Sequence, residues 1–369
     1  MDAFVYADDL GPAKIIHVYE PECGLKATLV VDNVARGPAI GGMRMAPDVT
    51  TRECFRLARA MTLKNAMAGL AHGGGKSVLR ADPRMAIDRK EHLIRAFAHA
   101  LRHESDYIFG PDMGTDETCM AWVHDEIGRS VGLPEVIGGI PLDELGATGW
   151  GLASAAQAAA PHCGFDLTGA RVAIQGFGAV GKHAARFLAD LGAVLVAASD
   201  SHGTVIVPAG IDVRQLVRIK DDGGGVRDYP RGDKRSADAI IDVVCDIWIP
   251  AARPDVIQAG NANRLNTRLM LQGANIPCTA DAERALHERG VVVVPDFVAN
   301  AGGVICAAME YQGATRSAAF AAIAEKVGDN TAVTLEHARK RQVTPREAAA
   351  AIAGERVRQA MRTRRFRAF

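Results

Sequence analysis

An α/β fold in two domains is what this sequence predicts, and three observations carry that reading. The chain has 369 residues, 48% of them hydrophobic and 23% charged, enough for two globular cores. From Arg171 onward strand-like and helix-like segments alternate. Between the apolar run Val172-Ala173-Ile174 and a helical pattern stands Gly176-Phe177-Gly178-Ala179-Val180-Gly181. That rhythm means a doubly wound, mainly parallel sheet of the Rossmann type in the second half. The expected limits are residues 1–145 for an N-terminal α/β domain, 146–330 for the doubly wound domain, and 331–369 for C-terminal helices packing back on the first.

Taken in order, Ile15 to Tyr19 and Leu25 to Val34 alternate as strands and stop at the turn Arg36-Gly37-Pro38. Thr50 with Glu53 three residues on reads as a capping box, opening a helix that ends at Gly69. Gly73 to Gly75 bring the chain to the lip of a strand, and Ser77 to Leu79 read as a short strand. An amphipathic helix is expected over roughly 89–103, after which Tyr107-Ile108-Phe109 lead into the loop Gly110-Pro111-Asp112-Met113-Gly114-Thr115. Gly138-Gly139 and Ala147-Thr148-Gly149 punctuate a hinge, and an alanine-rich helix (152–160) opens the second domain. There follow segments at 171–175, 182–191, 194–198, 239–250, 269–272 and 291–294. Residues 220–234, with three successive glycines, look like a loop excursion, and helical patterns run from Asn300 to the end.

Composition excludes several classes of function. Lys+Arg and Asp+Glu balance at 43 each, so no global charge attracts nucleic acid or an anionic membrane. The N-terminus lacks a basic and apolar leader pattern, and the most apolar window, 291–309, is interrupted by Pro295, Asp296 and Asn300. Seven scattered cysteines without a CxxC pair argue for reduced thiols, a cytoplasmic location and no metal site.

The glycine pattern at 176–181 has the strand-before, helix-after context that gives it meaning. Gly176 makes the turn, Gly178 lets backbone approach a pyrophosphate, and Gly181 lets helix pack on strand. The helix N-terminus at Ala179 and Val180 then favours the anion. Asp200, at the end of the next strand, stands where a ribose-binding carboxylate belongs and favours NAD over NADP, although Ser201, His202 and Lys182 stand near enough for NADP to be accommodated.

A second constellation lies upstream. Gly73-Gly74-Gly75 deliver Lys76, and Lys64 stands twelve residues earlier on a helix. Alone, the glycines would be an ordinary turn with a solvated lysine. Two cations near one pocket depress each other's pKa, which suits a carboxylate-bearing substrate and a base working near neutrality. Gly75-Lys76-Ser77 also matches the end of a P-loop, but residue 70 is leucine where that pattern needs glycine, and strand rather than helix follows.

Together these motifs resemble the glutamate/leucine/phenylalanine/valine dehydrogenases, which oxidatively deaminate L-amino acids with NAD(P). Leu70 to Pro83 is similar to that family's active-site motif, Met61 to Lys64 to its upstream lysine helix, and Gly110 to Thr115 to its catalytic aspartate loop. Ala147-Thr148-Gly149, Gln272-Gly273-Ala274-Asn275 and Pro295 to Gly303 follow in the family's order. The resemblance implies that Lys64 holds the substrate α-carboxylate and that Lys76 is the general base. Asp112 would shuttle protons at the amino nitrogen. Thr148, Ala251 and Asn275 would join residues 176–181 and Asp200 in holding NAD, and Asn300 would line the inner cleft. It also implies a homo-oligomer, with a small-molecule substrate and no nucleic acid or membrane partner.

Side-chain specificity is expected from Ile40, Gly41, Gly42, Gly110, Val304 and Ala307. Glutamate-specific relatives have a lysine before the Gly-Gly pair and a serine after the Asn-Ala-Gly-Gly segment, where this chain has Ile40 and Ala307. Burying a γ-carboxylate there costs several kcal/mol, roughly, by transfer estimates. A phenylalanine, leucine or valine class of substrate is therefore expected. Glutamate is the alternative, favoured by Ser199 to Gly203 and Gln272 to Asn275, which look like the glutamate branch. A non-catalytic nucleotide-binding protein or P-loop NTPase is the reading from another class.

Overall fold

The computed structural model describes residues 4–364. They form two compact units: one runs to Pro141 and adds Val304–Ala319 and the chain from Ala351 on, and the other comprises Leu142–Gly303 and Phe320–Ala350. The limits differ from those expected, because residues 304–319 belong with the first unit and 331–350 with the second.

The first unit holds β1 (Lys14–Glu20), β2 (Leu25–Asn33), β3 (Ala39–Met45), α1 (Thr51–Met67), β4 (Gly73–Leu79), α2 (Ile87–Ala100), β5 (Tyr107–Pro111) and α3 (Glu117–Ile127). Its sheet has the order β1-β2-β4-β3-β5, with β1 and β4 antiparallel to β2, and β3 parallel to both β4 and β5. Strand alternation divides two layers of core. Leu29, Val31, Met43 and Met45 face α2 and α3 with Leu93, Phe97 and Met120, whereas Val30 and Val78 face α1 with Cys54 and Ala58. Thr50 caps α1 through the Glu53 N–H, and Gly69 follows its end at φ +68°. Cys54, Ala58, Thr62 and Asn65 form its buried stripe at helical spacing; their small size lets the helix lie almost against β4.

Two expectations change here. The strand expected at Ser77 to Leu79 begins earlier, with Gly73 to Gly75 as the first half of β4, and β3 is a strand that sequence periodicity does not show. In both, glycine suppresses the alternation by which strands are recognised. A Cβ at Gly73 would stand 1.9 Å from the Asn33 carbonyl oxygen, one at Gly74 1.9 Å from the Thr62 nitrogen, and one at Gly75 2.9 Å from the Tyr107 ring. Close packing from three directions selects glycine.

The second unit contains α4 (Leu142–Leu145), α5 (Ala147–Ala159), β6 (Arg171–Gln175), α6 (Ala179–Asp190), β7 (Val194–Asp200), β8 (Gly203–Ile206), α7 (Val213–Asp221), β9 (Asp233–Arg235), β10 (Ile247–Pro250), β11 (Leu269–Leu271), α8 (Ala280–Glu288), β12 (Val292–Val294) and α9 (Asp296–Ala299). The chain ends in α10 (Gly302–Tyr311), α11 (Arg316–Arg341) and α12 (Pro345–Thr363), each of which passes from one unit to the other. The sheet order is β12-β11-β10-β6-β7-β8-β9, parallel from β12 to β7 with β8 and β9 antiparallel. Residues 220–234 are not a simple excursion: they include the end of α7 and part of β9, and Lys220 bonds to Asp200. Among the described residues no helix is long and apolar enough to cross a membrane, and no disulfide joins any of the seven cysteines.

Candidate active site

In the first unit β4 carries Lys76 into the interior, only 6% exposed, and its ammonium lies 2.6 Å from Asp112 Oδ2. Asp112 follows β5, held by its backbone N–H on Thr115 Oγ1 at 3.0 Å. Thr115 in turn donates to the Met43 carbonyl. Lys76 and Asp112 meet over Gly42 of β3: a Cβ there would be 2.8 Å from Asp112 Cβ and 2.9 Å from Lys76 Nζ. Gly42 is thus the floor of the pair, and any side chain at that position would displace it.

Arg44, two residues along the same face of β3, donates from Nε to Asp112 Oδ2 at 3.1 Å and from Nη1 to Glu53 Oε1 at 2.8 Å. Burial pushes the Asp112 carboxyl up, but the ammonium of Lys76 and the guanidinium of Arg44 more than offset that and hold it below the usual aspartate value. Under the sheet, Tyr107 donates its hydroxyl to the Gly41 carbonyl at 2.6 Å, which ties β5 to β3 just before the pair. Cys54 donates its thiol to the Lys76 carbonyl; burial pushes that thiol up to about 12, so it stays neutral.

The other expected residues of this unit fall as follows. Lys64 is half-buried in the last turn of α1, the helix packed on β4. Its neighbour Asn65 donates to the Gly73 and Ile40 carbonyls at 2.6 and 3.3 Å. Lys76 itself bonds an anion, Asp112. Ile40 shares the face of Gly42 and Arg44 and is 3% exposed. A Cβ on Gly110 would meet nothing closer than Val131 at 3.5 Å, so that position has room. Val304 is half-buried and Ala307 buried, both on α10.

In the second unit Gly176 follows β6 at φ +91°, and a Cβ on it would be 2.8 Å from Ala251, which follows β10. β6 and β10 are adjacent, and the chain leaves β6 toward β7 on its other side, so this turn lies at the switch point of the sheet, where such folds bind ligands. Gly178 caps α6 without any side-chain bond to the helix, and a Cβ there would meet nothing within 4 Å. Gly181 packs 2.1 Å, measured from its ideal Cβ, from the Gly176 carbonyl oxygen. An uncapped helix end with bare backbone before it fits the pyrophosphate of a dinucleotide.

Phe177 is 1% exposed, so its side chain belongs to the core and its backbone N–H bonds to the Ser199 carbonyl. Asp200 accepts from Lys220 Nζ at 2.7 Å and from the Val226 and His202 N–H groups at 2.9 and 2.8 Å. Burial raises its carboxyl, and Lys220 with those N–H groups more than offsets the rise. Asn300 donates to Asn275 Oδ1 at 2.9 Å and to the Gly273 carbonyl at 3.3 Å. Thr148 lies in the first turn of α5, its hydroxyl 3.3 Å from the ideal Cβ of Gly303.

Two family models cover nearly the whole chain: Glutamate/Leucine/Phenylalanine/Valine dehydrogenase matches residues 138–365, and Glu/Leu/Phe/Val dehydrogenase, dimerisation domain, matches residues 12–129. The chain belongs to the glutamate/leucine/phenylalanine/valine dehydrogenase family. It is an NAD(P)-dependent amino-acid dehydrogenase. It is 37% identical to glutamate dehydrogenase of Aeropyrum pernix over 90% of this chain and 85% of that protein. It is 39% identical to NADP-specific glutamate dehydrogenase of Saccharolobus shibatae over 76% and 69%. Among solved structures, the hetero-hexameric glutamate dehydrogenase of Thermus thermophilus superposes with a TM-score of 0.83 at 28% identity, covering 97% of this chain and 91% of that one.

Arg44, Glu53 and Tyr107 are the residues around the dehydrogenase's Lys76–Asp112 pair that sequence reading overlooks. Recognising β3 as a strand would have found Arg44, since alternation then puts it on the face of Gly42. In the cofactor unit, Arg346 was overlooked too. It donates to Gln272, Glu283 and Asp296, and Asp296 accepts the Ile276 N–H, which braces the loop carrying Asn275.

Proposed function

We propose that this dehydrogenase catalyses the reversible oxidative deamination of an L-amino acid with an apolar side chain to its 2-oxo acid and ammonia. In this reading Lys64 binds the α-carboxylate as a charge-assisted partner. Asp112 takes a proton from the substrate ammonium, leaving the amine whose electron pair enters the C=N bond. NAD(P)+ supplies the acceptor for the hydride that leaves Cα. Lys76 then takes a proton from the water that adds to the imine carbon, and in the reverse direction polarises the carbonyl. Support for these roles is the buried Lys76–Asp112 contact over Gly42.

The observation that carries the side-chain reading is Ile40. Strand alternation puts it on the face of Gly42 and Arg44, buried, where a cation would be needed to match a γ-carboxylate. Ala307 adds no polar group. The second reading, glutamate, is favoured by the relatives, which are named glutamate dehydrogenases. A panel of L-amino acids with NAD+ and NADP+, read by nicotinamide reduction, separates the two. Apolar substrates should lead, and Ile40→Lys should admit acidic ones. Turnover of glutamate alone would overturn the apolar reading.

For the cofactor, Asp200 favours NAD, but its pairing with Lys220 offsets the charge that would repel a 2′-phosphate, so we assign NAD with NADP admissible. Binding of each reduced cofactor, followed by fluorescence, ranks them. The assembly we assign is a homo-oligomer built through the N-terminal unit, whose family model is named for dimerisation. Light scattering of the purified chain reads its mass.

A further inference from the structure

Among the charged groups near the reacting pair, Arg44 has no part in the roles above, and the following rests on the dehydrogenase reading. Its guanidinium and the Lys76 ammonium converge on one oxygen of Asp112: Oδ2 accepts from Nε of Arg44 at 3.1 Å and from Nζ of Lys76 at 2.6 Å. Both contacts are to this one oxygen. Arg44 is itself anchored, because its other arm reaches Glu53 Oε1 at 2.8 Å, and Glu53 belongs to the capped first turn of α1. The orientation of the Asp112 carboxylate is therefore fixed by a chain of contacts from β3 to α1, independent of Lys76.

The two cations differ in chemistry. Lys76 exchanges its proton during turnover if it acts as base, and when it does, Asp112 loses that counter-charge. A guanidinium does not deprotonate in a protein. We propose that Arg44 is a positioning residue for proton transfer at Asp112: it holds Oδ2, fixes the orientation of the carboxylate that meets the substrate nitrogen, and supplies the positive charge that persists while Lys76 changes protonation. In the step it serves, one N–H bond of the substrate ammonium breaks and an O–H bond forms on Asp112. Nitrogen keeps the electron pair, which forms the C=N bond as hydride leaves Cα for NAD(P)+. In reductive amination the same proton returns to nitrogen.

The charged and titratable groups facing Asp112 are Lys76 from β4, Arg44 from β3 with Glu53 of α1 behind it, and Tyr107 from β5, with the Met113 N–H adding a backbone donor. Burial pushes the Tyr107 phenol upward, so it stays neutral through the working range. Removing Arg44 leaves one cation against the burial of Asp112, so its carboxyl should titrate higher.

The experiment is the pH profile of kcat and kcat/KM for amino-acid oxidation by wild type, Arg44→Gln, Arg44→Lys and Glu53→Gln. In Arg44→Gln the acidic limb should move up by about one pH unit or more, and kcat should fall by about 10-fold to 100-fold, within the range of a positioned proton-transfer group. KM for the amino acid and the dissociation constant of the reduced cofactor should stay within about threefold, a factor worth roughly 0.6 kcal/mol. Arg44→Lys, retaining charge without the planar fork, should bring the limb back toward wild type while kcat stays reduced. Glu53→Gln should shift it in the same direction as Arg44→Gln, but less. A wild-type acidic limb in Arg44→Gln, or a loss confined to KM, overturns the proposal. If Arg44→Gln does not fold, an unmoved limb in both Arg44→Lys and Glu53→Gln overturns it. A wild-type chain that oxidises no amino acid overturns the dehydrogenase reading itself, and this inference with it.

Discussion

Gly42 and Gly74 in the first unit and Gly178 in the second are all glycines of a site, but the space around them differs. A Cβ at Gly42 would press on Asp112 and Lys76, and one at Gly74 would stand 1.9 Å from the backbone of α1; at Gly178 it would meet nothing within 4 Å. In the first unit glycine is selected by the protein's own packing: strand, helix and the side chains of Lys76 and Asp112 already fill the volume. In the second it is selected by what is to come, a backbone approach kept open at an uncapped helix end. A substitution in the first region should cost stability or chemistry, and one in the second should cost cofactor affinity alone.

The largest effect should follow from Lys76→Ala and Asp112→Asn, which remove one partner of the buried pair. Turnover should fall by about 10²–10⁴-fold while reduced-cofactor binding stays close to wild type, as stopped-time assays and fluorescence titration will show. Retained turnover would break the comparison at its first term. Gly74→Ala should destabilise the chain by about 1–3 kcal/mol or more, because the clash is with backbone and α1 must move; urea unfolding measures it. Gly178→Ala should leave stability within about 0.5 kcal/mol and weaken cofactor binding about tenfold, roughly 1.4 kcal/mol. Equal losses of stability at Gly74 and Gly178 would erase the distinction.

The smallest effects concern pH. The Asp112 carboxyl is held below its ordinary value, so its contribution to stability is present above about pH 3.9 and is lost as pH falls through the folded value. Glu310 in the same unit has the opposite sign. Burial raises it despite the Gly132, Leu133 and Ile140 N–H groups it accepts, so the associated stability is lost as pH rises through its folded value. Unfolding curves across acid pH should therefore flatten in Asp112→Asn at the lower end and in Glu310→Gln at the upper.

The doubly wound unit was largely legible because its signals are local. The strand Arg171–Gln175, the glycine turn and the helix behind it can be read within twenty residues, and the alternation continues through β12. Its antiparallel additions, β8 and β9, were not, being three or four residues long. The first unit is harder because its candidate active centre sits on glycine-rich strands. Gly41-Gly42 and Gly73 to Gly75 lack the side chains by which periodicity is seen, so the pattern shows no β3 and starts β4 only at Ser77. Lys76 and Asp112 were nameable from motif alone; that they pair, and that Arg44 completes the pair, depends on a strand register linking residues about seventy apart in the chain.

If Lys76 and Asp112 together move the protons of an amino-acid oxidation, removing the lysine stops the reaction without loosening the cofactor. Single-turnover reduction of NAD(P)+ by an apolar L-amino acid, run on wild type and Lys76→Ala with cofactor affinity measured on the same samples, tests it most directly. Nicotinamide reduction with ammonia release is expected in wild type, and its loss in Lys76→Ala at unchanged affinity; equal rates in the two proteins would mean that Lys76 moves no proton.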